Sequence, residues 1–429
     1  MKRLLTIFLS LFALVTFAQT KSVVKSPPLS EGSPISLGMS PERLDRIDTM
    51  LKESINSGDV PGAIALVARN GKIVYHKAFG MADNESGRVL KRDDIFRIAS
   101  QTKAITATAV MMLWEEGKFR LDDPIENYIP EFKNGQVLDT YSDADGTYTT
   151  TPVSTPITIR HLLTHTSGIG YGVIDGDERF KKIYDKAGVT DLFTTKNISI
   201  EESVKKLAKL PLHHNPGEKF TYSEGLDVLG YFIEIVSGMP FDEFFRTRIF
   251  DPLEMKDTWF YLPKEKHSRL VSVQHKVDGK WKKYPVTFYD TNYPITGAKR
   301  FFSGGAGLSS TVKDYATFLQ MYLNGGELNG VRILSRKTIE TMMGLQFDNV
   351  WDDKGSHYGL AYRVVNQTGQ NMGAQGSIGT FSWGGYFNTQ YFADPKEKII
   401  GIIFKQTQGP TTDQTRWKFS QLVWSSIDD

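Results

Sequence analysis

The chain contains no cysteine, which removes disulfides, thiolate nucleophiles and zinc-thiolate sites together. Any nucleophile must therefore be an oxygen or an amine. An excess of either charge is also missing, with 51 Lys and Arg against 49 Asp and Glu and a net charge of +2. That excludes the concentrated basic field on which nucleic-acid binding rests. Beyond the N-terminus no apolar run approaches the roughly eighteen residues of a membrane span, and there is no internal repeat, heptad run or block of like charge. What is present is 429 residues with 40% hydrophobic and 12% aromatic side chains, enough to bury a large core. At this length two lobes, or one domain carrying an insertion, are expected.

Lys2 and Arg3 precede an apolar stretch from Leu4 to Ala18, interrupted only by Thr6, Ser10 and Thr16 and followed by polar Gln19 and Thr20. This pattern predicts a secretory signal peptide over residues 1–18, cleaved after Ala18. As a helix the stretch would span about 22 Å, too short for a ~30 Å hydrocarbon core. The mature protein is thus expected to be exported, periplasmic or secreted, with no stable membrane anchor. Residues 19–39 are rich in Ser, Pro and Lys and predict a flexible lead-in, with order beginning near Ser40.

Ser40-Pro41 followed by Leu44, Ile47 and Leu51 predicts a capped helix with one buried stripe. Asn70-Gly71 between two β-rich runs predicts a tight hairpin and the start of an antiparallel sheet. Near the other end, the runs Phe381–Ala393 and Lys398–Gln406 flank the turn Asp394-Pro395-Lys396-Glu397 and precede a helical pattern from Thr412 to Ile427. Between these ends the signals are helical, as in 200–210 and 225–237. The expected organisation of 40–429 is an α/β lobe over about 40–119 and 286–429 with a helical insertion over about 120–285. Within the insertion, the polar Gly135–Pro156 stretch shows no period and reads as a surface loop, a candidate pocket wall.

Ser100-Gln101-Thr102-Lys103 has the form S-x-x-K, which puts a hydroxyl and an amine one helical turn apart. The pattern also occurs at Ser22 with Lys25, Ser203 with Lys206 and Ser310 with Lys313. Only Ser100 follows an extended stretch and opens a strongly apolar helix (Ala107, Val110, Met111, Trp114), where free N–H groups favour developing negative charge. Two further stretches follow in order: Tyr222-Ser223-Glu224 before Asp227-Val228-Leu229-Gly230, and Trp383-Gly384-Gly385-Tyr386 in a strand.

Together these three motifs resemble, in order and spacing, the active-site motifs of class C β-lactamases, D-alanyl-D-alanine carboxypeptidases and family VIII carboxylesterases. The stretches His161–Gly168 and Gly304–Ser310 are similar to that family as well, and the resemblance runs from about Ser40 to Ile427. It implies an α/β, β-lactamase/transpeptidase-like fold: an antiparallel sheet sandwiched by helices, with an inserted mainly helical lobe and the site at their junction. By the same resemblance Ser100 is the acylated nucleophile, and Lys103 and Tyr222 manage its proton. The backbone N–H groups of Ser100 and Tyr386 form the oxyanion hole, and Trp383, Gly384 and Gly385 bind substrate. Either Lys103 or Tyr222 can serve as base, since a serine hydroxyl needs only a neighbouring group of lowered pKa to become nucleophilic. Gly384 and Gly385 are read as letting a substrate carbonyl approach the strand.

Two positions depart from the lactamase pattern. Trp383 stands where penicillin-recognising members carry a lysine for the substrate carboxylate, which favours neutral esters and the carboxylesterase branch. Arg300 or Lys299 is the candidate to replace that charge. Glu224 stands where lactamases carry Asn; it either reaches Lys103 or turns to solvent. The expected activity is an exported serine hydrolase acting on esters, a small-molecule acyl substrate. The alternatives are a β-lactamase or D-amino-acid-specific peptidase, and a penicillin-binding-like module without turnover. His161 with His165 and His213 with His214 lack the acid that would complete a metal site, so no metal and no cofactor are expected. Tyr289, Tyr293, Phe301 and Phe302 are read either as acyl-pocket lining or as core.

Overall fold

The computed structural model describes residues 21–348, 350–409 and 412–429. The segment read as a signal peptide, 1–18, lies outside the described residues. Ser40 caps the first long helix, α1 (Pro41–Asn56), its hydroxyl accepting from the Arg43 N–H, and Leu44, Ile47, Met50 and Leu51 form the buried stripe. Asn70 and Gly71, at φ of 50° and 76°, turn β2 (Gly62–Arg69) into β3 (Lys72–Asp83).

These strands belong to a nine-stranded sheet completed by β1 (Ser30–Glu31), β4 (Arg88–Val89), β5 (Ser356–Tyr358), β6 (Arg363–Val365), β7 (Phe381–Gly385), β8 (Thr389–Asp394) and β9 (Ile399–Phe404). The order is β1-β3-β2-β9-β8-β7-β6-β5, with β4 beside β3, and every pair is antiparallel except β1 with β3. The central strand β2 is buried along its whole length because both faces are covered. Ile64, Leu66 and Ala68 face the core that holds α2 (Thr102–Glu115), while Ala63, Ala65 and Val67 face α1 and the C-terminal helix (Thr415–Ser425). The sheet is therefore sandwiched by helices, as expected.

Residues 120–285 carry the helices Ile159–Leu163, Glu178–Ala187, Ile200–Leu207, α3 (Gly225–Ser237) and Phe241–Phe245. They also hold two hairpins, and one of these lies where the sequence of 135–156 reads as an aperiodic surface loop. Strands Gln136–Tyr141 and Tyr148–Pro152 pair there, with Thr140 and Thr149 sharing a 2.6 Å cross-strand hydroxyl contact. Both faces carry polar side chains, so no alternation betrays the strands.

Two expectations are corrected. Phe381–Ala393 is not one strand but two, β7 and β8, folded at a corner where Asn388 takes φ 66°. The lead-in is tied down: β1 pairs with β3, and the Ser26 N–H and hydroxyl both donate to Glu327. α4 (Val312–Leu323) lies on the site's face of the sheet, its Tyr315 hydroxyl donating to Gln101 O, while α5 (Thr415–Ser425) packs on the opposite face.

Candidate active site

Ser100 sits in a single 3-10 turn, Ala99–Gln101, that feeds directly into α2. Ala99 holds φ 43°, a left-handed backbone that costs a residue bearing a Cβ of order 1 kcal/mol. The turn is clamped in that state from both sides. Ile98 N–H bonds Leu308 O at 3.0 Å, and the Gln406 side chain accepts from Arg97 N–H at 2.8 Å and donates to Arg97 O at 3.2 Å. The end of β7 packs on the same turn.

α2 is buried on all sides from Thr102 to Leu113, so Lys103, with no exposed surface, points into protein. Its ammonium donates to Gly305 O at 2.7 Å, to the Tyr171 hydroxyl at 3.0 Å and, at a longer 3.4 Å, to Ser100 Oγ. All three of its donors are thereby engaged. The glycines of 304–307 make this possible: a Cβ on Gly304 would lie 2.3 Å from Leu226 O, and one on Gly305 would meet Asp227 Oδ2 at 2.6 Å and Lys103 Nζ at 3.4 Å.

The expected Lys103–Tyr222 contact takes a different form. Nζ stands over the Tyr222 ring, 4.7 Å from its centroid, while the Tyr222 hydroxyl accepts from Trp383 Nε1 at 3.3 Å. The hydroxyl that meets Lys103 is that of Tyr171, which the sequence reading missed. Burial, reinforced by Tyr222, Asp227 and Glu224, holds the Tyr171 phenol well above its ordinary range, so it stays protonated. Tyr171 is placed by its own N–H on Asp175 (2.8 Å), and Asp175 in turn pairs with His213 at 3.1 Å. Its only sequence signal is its position just after the His161–Gly168 stretch.

Glu224 neither turns to solvent nor reaches the amine. It is buried, its Oε1 has no partner, and burial followed by Asp191 and Asp227 raises its carboxyl well above the usual range. Asp191 is pushed up to about 6, chiefly by burial, while accepting from the Gly172 and Val173 N–H groups. Asp227 is likewise raised by burial and accepts from Gly305 N–H at 3.3 Å.

His165 is buried at φ 57°, with its ring 4.5 Å from that of Tyr222. Burial and Lys103 hold it well below the ordinary imidazole range, hence neutral, and its Nδ1 accepts from Ser223 N–H at 3.2 Å. It fixes the backbone beneath Tyr222. His161 completes the cap of the Ile159–Leu163 helix. Among the described residues no group of three or more His, Asp or Glu is arranged to hold a metal.

Trp383 forms one wall of the mouth, stacked on Trp351 with ring centroids 5.9 Å apart. Trp351 is 63% exposed, an unusual state for this residue type, and the sequence reading passed over it. Gly385 is also required by packing: a Cβ there would stand 2.4 Å from Ile98 O and 2.2 Å from Thr389 Oγ1. At Gly384 a Cβ would meet nothing closer than 3.4 Å. Tyr386 packs its ring against Phe193, Tyr289 and Phe387. Of the aromatics left open between pocket and core, Tyr289, Tyr293 and Phe301 are buried; Phe302 packs on Phe260 and Tyr261. Arg300 is directed to Glu202 at 3.9 Å, half-exposed, and does not replace the absent lysine by contact with Trp383 or Tyr222.

A model of the family described as Beta-lactamase matches residues 47–423. Esterase EstB of Burkholderia gladioli is 31% identical over 387 residues, spanning 86% of this chain and 92% of its own. A putative D-alanyl-D-alanine carboxypeptidase of Escherichia coli is 27% identical over 437 residues, spanning 96% and 93%. Among solved structures, EstCE1, described as a hydrolase with promiscuous acyltransferase activity, superposes with a TM-score of 0.76 at 24% identity, covering 89% of this chain and 99% of that one.

Proposed function

The chain belongs to the beta-lactamase family and is a serine hydrolase with its β-lactamase/transpeptidase-like fold; from that premise we propose that it is exported and hydrolyses carboxylic esters through an acyl-enzyme on Ser100. The observation that carries the ester reading is the wall at Trp383. Trp383, its indole stacked on Trp351, stands where the resemblance puts a substrate-binding lysine in penicillin-recognising members. One ion pair at 4 Å is worth up to about 4 kcal/mol at an effective dielectric near 20, so its loss weakens anionic lactams and peptide C-termini more than neutral esters.

In this reading Ser100 Oγ attacks the ester carbonyl carbon while its proton passes to the Lys103–Tyr222 pair. The Trp383 N–H donates to the phenol oxygen and the Lys103 side chain lies over the ring, so both touch Tyr222 as it takes part. The N–H groups of Ser100 and Tyr386 receive the oxyanion, and the open face of Gly384 leaves room for the carbonyl. Collapse breaks the bond to the alcohol oxygen, which leaves with the proton. Water then adds to the acyl-enzyme by the same route and releases the acid.

The relationship to a putative carboxypeptidase keeps amide chemistry as the second reading. Turnover of a chromogenic short-chain ester is compared with that of a chromogenic cephalosporin, in wild type and Ser100→Ala. Ester turnover that vanishes in the variant supports the proposal. Fast cephalosporin hydrolysis without esterase activity overturns it, and hydrolysis surviving in Ser100→Ala removes the site.

Export rests on the pattern Lys2, Arg3 and Leu4–Ala18. No described helix is long and apolar enough to cross a membrane. N-terminal sequencing of the protein from the periplasm or medium should begin at Gln19; a cytosolic, full-length protein would overturn the assignment.

A further inference from the structure

Across the sheet from Ser100, between β7–β8 and α5, lies a cleft of about 420 Å³. Its side of the sheet follows from strand alternation: Ser382 lines it while the adjacent Trp383 faces the catalytic mouth. Its inner wall is apolar, with Phe392 stacked on Trp424 at 5.1 Å and Phe392 lying flat where Gly401 has no side chain. At its rim two large apolar residues stand in solvent, Met372 at 71% and Trp417 at 54% exposure. Exposed apolar side chains converging on one concavity mark a surface that has something to bind.

The polar lining is unbalanced. The charged residues of the cleft are Arg363, Arg416 and Asp353. Asp353 is engaged by Arg363, whose Nε donates to it and to Ser356 Oγ at 2.9 Å each. Arg416 is exposed at the rim and has no hydrogen-bond or ion-pair partner among the described residues. A buried carbonyl oxygen on Gln390, another lining residue, also lacks a donor. A guanidinium is a planar fork of donors suited to a carboxylate or phosphate.

We propose that this cleft is a second ligand site, taking an amphiphile whose anionic head, a carboxylate or a phosphate, pairs with Arg416 and whose apolar body lies between Trp417, Met372 and the Phe392–Trp424 wall. The site is separate from Ser100 and stands whether or not the enzyme prefers esters. It is tested on the full chain with Ser100 blocked by a fluorophosphonate, which removes binding in the catalytic mouth. Calorimetric titration with decanoate and with decyl phosphate, against neutral decyl maltoside below its micellar concentration, separates the two head groups from the tail.

Saturable binding of at least one anion is expected. It should weaken by roughly tenfold or more in Arg416→Gln and in Met372→Glu, the latter a surface change that leaves folding intact. A diazirine-bearing decanoate should label the peptides holding Met372 or Trp417. Equal affinity for the neutral detergent, unchanged binding in Arg416→Gln with intact melting behaviour, labelling elsewhere, or no saturable binding of either anion would overturn the assignment.

Discussion

The ammonium of Lys103 lies over the face of the Tyr222 ring, 4.7 Å from its centroid, and not against its hydroxyl. In the proposed mechanism ring and hydroxyl therefore have separable duties, the first toward the amine and the second toward Trp383 and the reacting proton. Tyr222→Phe keeps the ring. Its kcat on a neutral ester should fall by about 10²- to 10⁴-fold, the range of a lost acid-base group, with KM and melting temperature nearly unchanged. Steady-state kinetics that leave kcat intact would remove the hydroxyl from the mechanism.

The two glycines of the strand give opposite expectations. Gly385→Ala places a Cβ 2.4 Å from Ile98 O, on the turn that carries Ser100, so it should destabilise by about 1–3 kcal/mol and disrupt acylation. Gly384→Ala meets only ordinary contacts and should melt like the wild type. Denaturant midpoints and acylation rates of the pair check this. Equal stability of the two variants would contradict the close approach.

Trp351 is exposed, so its removal should cost little stability. If it is a platform for the apolar part of the ester, Trp351→Ala should raise KM about tenfold for aromatic or long-chain esters, the equivalent of an aromatic contact of ~1.4 kcal/mol, and hardly change acetate turnover. A uniform change across ester lengths would place Trp351 outside substrate recognition.

Asp314, in the first turn of α4, is buried and pushed up to about 6 from 3.8, burial being the leading cause. A carboxyl with a higher pKa in the folded state binds its proton more tightly there, so its stabilising effect is complete below pH 4 and is lost as pH rises through about 6. The difference amounts to about 3 kcal/mol at most. Asp314 Oδ2 accepts from Asp257 N–H and Thr258 Oγ1, a role that an amide oxygen can fill. Asp314→Asn should therefore melt higher than wild type at pH 8 and no higher at pH 4. The opposite order would contradict the raised pKa.

The parts of the site that share a local pattern were legible in the sequence. Ser100 and Lys103 are one turn apart on a helix, Tyr222 opens α3 and Trp383 lies in a strand, and the fold brings all four together. Tyr171 was not legible, because its place depends on loop hydrogen bonds that no local pattern marks, from its own N–H to nearby Asp175 and from the next two N–H groups to the more distant Asp191. Glu224 was open for a related reason: whether a carboxylate on a first helical turn is buried depends on what packs over it. The 136–152 hairpin escaped because its polar strands show no alternation on either side of Asp145-Gly146, and the corner at Asn388 because no glycine or proline holds its positive-φ position.

The three acceptors of Lys103 lie at positions 100, 171 and 305, and Trp383 closes the mouth from farther still. No fragment of the chain owns the reactive group. If Ser100 is the reactive group, nascent or misfolded molecules leave ester-bearing surroundings untouched, and the fraction of a preparation that a fluorophosphonate labels should count its native molecules.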